Sequence, residues 1–258
     1  YASEGVYNQV TSISCELLNY NEIISFFYSG HNDKIVNYRI SLLLTKVQNV
    51  YPFIRSIGVH NMQTGISIDT MGIPIQTDFF KSSVSKYVLF FPRKVAVEGF
   101  NRDEPYNLIT FVLFPDYSMT KPSNSAIAIN IDESYILNTI SSISGISPES
   151  TTLVMDSHGF ILSHTDPSVF MEDLSGKSHI RKILEDHKSQ GSFIADIDEA
   201  RRLVTYVNSN KLNWYFITIK TYNKLLQNIY QLRNITFLIT LCLIVFGIIS
   251  TIYLAGPI

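Results

Sequence analysis

The sequence predicts an α+β protein with helices first, two similar antiparallel-sheet units in tandem, and one membrane-spanning helix near the C-terminal end. Three observations carry this. Apolar residues recur at helical spacing through the first fifty residues. From Pro52 the period changes to two, and paired strand-like runs follow, twice over. Residues 235–254 contain no charged side chain.

Val6, Val10, Ile13, Leu17, Tyr20, Ile24 and Phe27 follow one another in steps of four and three. That seam predicts one long helix, which either packs on its own domain or also pairs with a second copy. "YSGHND" interrupts it with turn formers, and a second seam runs through Val36, Ile40, Leu43, Val47 and Val50 until Pro52 ends it. "SIGVH" and "ISID", joined by "NMQTG", read as a hairpin, and a helix–loop region is expected next. "NLITFVLF" and "AIAINI" are strands, with Ile127, Ile129 and Ile131 on one face, and Asp132 caps a helix running to about Ile143.

The same order then recurs. "TTLVMD" and "FILSH" form a hairpin about "DSHG", where Gly159 is expected at positive φ. A helix over 178–188 precedes three strands, "SFIADI", "RLVTYV" and "WYFITI". "YNKLLQNIYQLRN" is amphipathic and has no breaker before Ile235, so it is expected to run unbroken into the apolar segment. Twenty residues at about 1.5 Å each match a hydrocarbon core of about 30 Å. Thr236, Thr240, Ser250 and Thr251 can bond back to helix carbonyls there. The chain opens on Tyr1 and closes on Gly256-Pro257-Ile258, and is read as a piece of a longer protein.

The 20 Lys and Arg against 22 Asp and Glu leave a net charge of −2, and no basic stripe marks a nucleic-acid surface in 1–234. Cys15 and Cys242 are the two cysteines, and with one inside the apolar segment no intrachain disulfide is expected. No HExxH, Gly-x-Ser-x-Gly or phosphate-binding glycine loop occurs, so neither catalysis nor a cofactor is predicted. "DSHGFILSHTD" offers Asp156, His158, His164 and Asp166, a donor set that suits a metal. The turn itself accounts for Asp156 and Gly159, and His179 and His187 stand too far apart to share an ion, so no metal is predicted.

Several segments together resemble a double Cache sensor, two PAS-like modules outside a bacterial cell between two membrane helices. They are "YPFIRSIGVHN", "FFPRKV" and "ITFVLFPDYSMTKPSNSAIAINIDESYILNTI" in the first unit, and "LVMDSHGFILSHTD", "GSFIADI" and "RLVTYVNSNKLNWYFITIKTYNKLL" in the second. The finer similarity, in "PRKV", "INIDESYI" and "TYVNSNKLNWYFI", is to membrane-anchored AraC-type transcriptional regulators of Gram-positive bacteria; sensor histidine kinases are the alternative. The resemblance implies N-terminal long helices over 1–51, a membrane-distal PAS-like module over 52–149, a membrane-proximal one over 150–221, and a linker plus transmembrane helix over 222–258. It further implies a location in the cell membrane with 1–234 extracytoplasmic, a first span before Tyr1, a homodimer through the N-terminal helix, and DNA contact only through a cytoplasmic domain beyond this chain.

The first unit also carries an aromatic and charged cluster, Tyr87, Phe90, Phe91, Arg93, Tyr106, Asp116 and Tyr117. Arginine clamps anions and aromatic rings wall small pockets. Arg93, Tyr87, Tyr106, Asp116 and Tyr117 are therefore the candidate ligand residues; the alternative makes Phe90 and Phe91 core and Arg93 a surface partner. Amino-acid-binding double Cache sensors have Arg-x-Trp-Tyr here, whereas "PRKVAV" has no aromatic residue after its arginine. That departure argues against an amino-acid ligand, and Arg93 is expected to anchor a small polar or anionic molecule. Trp214 is expected to pack beneath the second sheet.

Overall fold

The computed structural model describes residues 2–73, 88–96, 105–115, 125–144, 150–186, 188–209 and 211–254. Three helices come first: α1 (Ala2–Leu17), α2 (Asn21–Tyr28) and α3 (Lys34–Val50). The seam through Phe27 is therefore two helices, not one. Leu18, Asn19 and Tyr20 bond back to Ser14, Glu16 and Leu17, the chain tightens, and Tyr20 turns to extended backbone at φ −89° before α2. Asp33 starts α3 by accepting the N–H groups of Ile35 (2.9 Å) and Val36 (3.3 Å).

The first sheet contains β1 (Ile54–Asn61), β2 (Ile66–Asp69), β3 (Val88–Val95), β4 (Tyr106–Leu113) and β5 (Ser125–Asp132). All its pairings are antiparallel, in the order β2-β1-β5-β4-β3. Helix α4 (Glu133–Ser144) leads to β6 (Thr151–Met155) and β7 (Ile161–His164). After a short 3-10 turn (Pro167–Val169) and α5 (Ser178–Glu185) come β8 (Gln190–Ile197), β9 (Ala200–Ser209) and β10 (Trp214–Thr221). These form a separate antiparallel sheet in the order β7-β6-β10-β9-β8, the same order as the first. One expectation fails here. The stretch with Arg93, read as helix–loop, is edge strand β3, where Pro92 is tolerated because an edge needs bonds on one side only.

One core joins the two sheets. The α1 seam residues Val6, Val10, Ile13 and Leu17 pack with Ile57, Val59, Phe111 and Ile129 of the first sheet and with Val154, Leu162 and Trp214 of the second. The seam is thus covered by its own chain, and a second copy would have to meet α1 on its exposed side, at Gly5, Asn8, Gln9 and Ser12. Asn61, wholly buried at the end of β1, gives its Nδ2 to the Phe26 carbonyl (2.6 Å) and accepts from Gln63 and Thr64, tying the sheet to the end of α2. The opposite face of the second sheet is filled by Leu153, Met155, Val204, Ile217 and Ile219 under Ile180 and Ile183 of α5.

Helix α6 (Tyr222–Leu254) follows β10 directly and is 33 residues long, about 50 Å at helical rise. Its stretch Leu232–Ser250 is long and apolar enough to cross a membrane, and none of the described residues covers it. Thr236 and Thr240 bond back to Leu232 and Thr236, both at 2.9 Å.

In the β6–β7 turn Asp156 accepts the N–H groups of His158 and Phe160, and Gly159 has φ +98°. A Cβ there would stand 2.9 Å from the Ser175 backbone nitrogen. Gly159→Val should therefore lower stability by about 1–3 kcal/mol, read as a fall in Tm of the second sheet.

Candidate functional site

Strand alternation gives the first sheet two unlike faces. Ile57, Val59, Ile109, Phe111, Leu113, Ile127, Ile129 and Ile131 point into the shared core. The other face is also covered, since Ser56, Thr110 and Asn130 are at most 1% exposed, yet it is crossed by polar side chains. Such groups are costly to bury unless each finds a partner.

They find one another. Arg93 on β3 donates through Nε to Thr110 Oγ1 (2.8 Å) and through Nη2 to Asn130 Oδ1 (2.7 Å). Thr110, on β4, donates to Asn130 Oδ1 (2.6 Å). Asn130, on β5, donates from Nδ2 to Ser56 Oγ on β1 (2.6 Å), and Ser56 donates to Asp69 Oδ2 at the end of β2 (3.1 Å). One side chain from every strand thus joins a row that runs from a cation at one edge to a carboxylate at the other, each donor facing the Asp69 end. The register that allows it pairs Ser56 with Asn130 and Asn130 with Thr110.

Asp69 is further held by the N–H groups of Met71 (2.8 Å) and Ile73 (3.0 Å) on Oδ1. Burial pushes its carboxyl above the usual range, against these bonds, the Ser56 hydroxyl and the charge of Arg93. Burial likewise lowers Arg93, opposed by Asp69. Farther along the same face His60 is hydrogen-bonded to Ser67 and is lowered by burial.

Two apolar clusters flank the row. Val112, Phe114, Ala126 and Ala128 pack with Met62, Leu89 and Phe91 on one side, and Ile73, Val95, Tyr106 and Leu108 with Met71 on the other. Of the sequence-predicted residues, Arg93 and Tyr106 share this face. Tyr106 is 5% exposed, with the Arg55 guanidinium 4.1 Å above its ring. Tyr87, Asp116 and Tyr117 lie outside the described residues. Phe90 and Phe91 separate, because neighbours on a strand face opposite ways: Phe91 joins the site face and Phe90 the shared core.

Asp69, Asn130, Thr110 and Ser56 are absent from the residues the sequence singled out. Their signal lies in alternation: "SIGVH" and "AIAINI" each place small and polar residues opposite an isoleucine-rich face. The other candidate is spent locally. Asp156 shapes its turn, and Asp166, whose side chain accepts the Ser168 N–H at 3.0 Å, also gives its own N–H to His164 Nδ1 at 2.8 Å. Among the described residues no group of three or more His, Cys, Asp or Glu is placed to hold a metal ion. Trp214, expected as core beneath the second sheet, is wholly buried on the side of that sheet that faces the first, with Phe90 at 5.1 Å and Phe111 at 6.2 Å.

No protein-family model matches the sequence, and no curated protein matches it either. Solved structures share its fold. The periplasmic sensory domain of the Campylobacter jejuni chemoreceptor Tlp1 superposes with a TM-score of 0.62 at 12% identity, over 86% of this chain and 90% of that one. The extracellular domain of rpHK1S-Z16, assigned as a histidine kinase, gives 0.60 at 13% identity, over 85% and 90%. The ligand-binding domain of the Pseudomonas aeruginosa amino-acid chemoreceptor PctB, solved with L-Arg, gives 0.56 at 11% identity, over 83% and 89%. The fold is that of double-Cache-like sensor domains.

The row also explains Gly58, which lies opposite Asp69. A Cβ there would come 2.9 Å from Asp69 Oδ2 and 3.3 Å from Asp69 Cβ. Gly58→Ala should displace Asp69 and cost about 1–3 kcal/mol, measured by chemical denaturation.

Proposed function

We propose that the chain is the ligand-sensing region of a membrane-anchored receptor, with residues 1–234 outside the membrane. In this reading 52–149 is the membrane-distal sensing module, 150–221 the proximal module, and 222–258 the linker and anchor. The observation that carries it is the Arg93-to-Asp69 row, a buried polar face in a sensor fold whose second sheet is filled with apolar side chains at the corresponding place. Arg93 is the anchor for a small polar or anionic molecule, because a guanidinium has five N–H donors and makes charge-assisted bonds to oxyanions. Asp69 brings opposite charge to the far end, where a cationic or hydroxyl group of the same molecule would be met.

The signal leaves through α6, which continues β10 without a break. Two copies lie side by side through the exposed side of α1, so that movement of the helix becomes a change in dimer geometry. The sequence similarity favours an AraC-type regulator, which would reach DNA only through its cytoplasmic domain. The alternative output, a histidine kinase, is favoured by the likeness to rpHK1S-Z16.

A thermal-shift screen of the chain in lipid nanodiscs tests the site, using the twenty amino acids, GABA, short carboxylates and phosphate. At least one compound should raise Tm, and Arg93→Ala should weaken its binding by about tenfold or more while the protein still folds. A screen with no stabilising compound, or binding indifferent to Arg93, sinks the reading.

The exit path has its own test. Two glycines inserted after Gln231 break helical continuity at about 1 kcal/mol each. They should abolish a reporter response in the whole receptor and leave titration calorimetry of the same compound unchanged. Normal induction in that variant would remove α6 as the path.

A further inference from the structure

Strand β3 presents different side chains to two environments. Arg93 is on the site face, and Phe90, three positions back, is on the face toward the second sheet. Phe90 meets Trp214 edge-on, ring centroids 5.1 Å apart and planes at 87°. Phe111, the cross-strand partner of Phe90, lies 6.2 Å from the same indole. Trp214 is wholly buried and is the first residue of β10, whose eight residues end where α6 begins. A continuous line therefore joins the Arg93 guanidinium to the membrane helix: a short piece of β3, one ring contact, one strand.

Two features let that contact shift. Among the described residues β3 is an edge strand bonded to β4 alone, and Pro92, between Phe90 and Arg93, gives no N–H to the ladder. Buried indole N–H groups usually find an acceptor, yet Trp214 Nε1 has no hydrogen-bond partner among the described residues. Packing alone holds the ring against the first sheet, so sliding it past Phe90 breaks no hydrogen bond.

We propose that Phe90 and Trp214 are the coupling pair between the two sheets, carrying displacement of Arg93 on β3 into β10 and α6. This rests on the reading of Arg93 as the ligand anchor, and it adds the route by which that site is heard. A ligand that draws Arg93 outward moves β3, and Phe90 moves with it against the indole.

Trp214 is the chain's single tryptophan, so fluorotryptophan labelling gives one fluorine resonance that reports this contact. The chain in nanodiscs is compared as wild type, Arg93→Lys and Arg93→Ala, each with and without Phe90→Leu; Phe90→Met replaces any variant that fails to fold by circular dichroism. The Arg93 substitutions should displace the resonance, and removing the Phe90 ring should cut that displacement at least about threefold, the non-additivity expected of coupled sites. Equal displacement in both backgrounds, or none in either, overturns the coupling. A ring-dependent displacement with no compound binding at Arg93 keeps the linkage and removes the ligand reading. Binding that depends on Arg93 while the resonance stays still keeps the site and removes the linkage.

Discussion

The first sheet depends on a hydrogen-bonded row in which no member but Arg93 can be removed alone without orphaning another. Asn130 is its hinge. Its Oδ1 takes both Arg93 Nη2 and the Thr110 hydroxyl, and its Nδ2 feeds Ser56. A buried amide or hydroxyl without partners costs on the order of 1–3 kcal/mol. From Thr110 to Asp69 the row therefore holds or fails together, and it constrains what surrounds it. Gly58 must lack a Cβ, and Ala126 and Ala128 stay short beside Asn130 on the same strand. Alternation then places isoleucines on the opposite side, so one requirement sets the composition of both faces.

That opposite face makes the two sheets one body. The α1 seam alone could have bridged them, but Trp214 also reaches across to Phe90 and Phe111. The second sheet has the same strand order as the first, with α5 closing its outer face over Ile180 and Ile183. On that face Leu153, Met155, Val204 and Ile217 pack together, and the Tyr206 hydroxyl is already bonded to Asp186. Identical topology thus carries unlike faces, and what distinguishes them is which residues occupy the alternate strand positions.

Much of this was legible in sequence because it is local. The hairpins, the helix after Asp132, positive φ at Gly159 and the fusion of strand, linker and span all follow from short-range periodicity and turn chemistry. What was missed is non-local or masked by a conflicting local signal. Pro92 within "LFFPRKV" argued against a strand, although an edge accepts it. The break at 18–20 kept the four-three spacing in step on both sides, so the seam looked continuous. Arg93 stood out as a charge among aromatics. Ser56, Asp69, Thr110 and Asn130 did not, since each is ordinary alone and they meet only when five strands from separate parts of the chain are placed side by side.

The two ends of the row differ in how freely they can move, and this gives the site a direction. A ligand changes a conformational equilibrium only as far as it binds the two states unequally. If Arg93 swings away, Asn130 Oδ1 still accepts from Thr110, Thr110 still donates, and the departing N–H groups are met by the oxyanion that drew them. Among the described residues no buried donor is stranded. If Asp69 moved instead, the N–H groups of Met71 and Ile73 and the Ser56 hydroxyl would all lose their acceptor at once. By the bonds among the described residues, the carboxylate end is therefore the more firmly held. Both ends of the row stand on edge strands, but the Arg93 strand is the one that carries the ring touching Trp214. Under the proposed reading, binding energy spent at Arg93 would be delivered on a strand whose Phe90 is in contact with the second sheet.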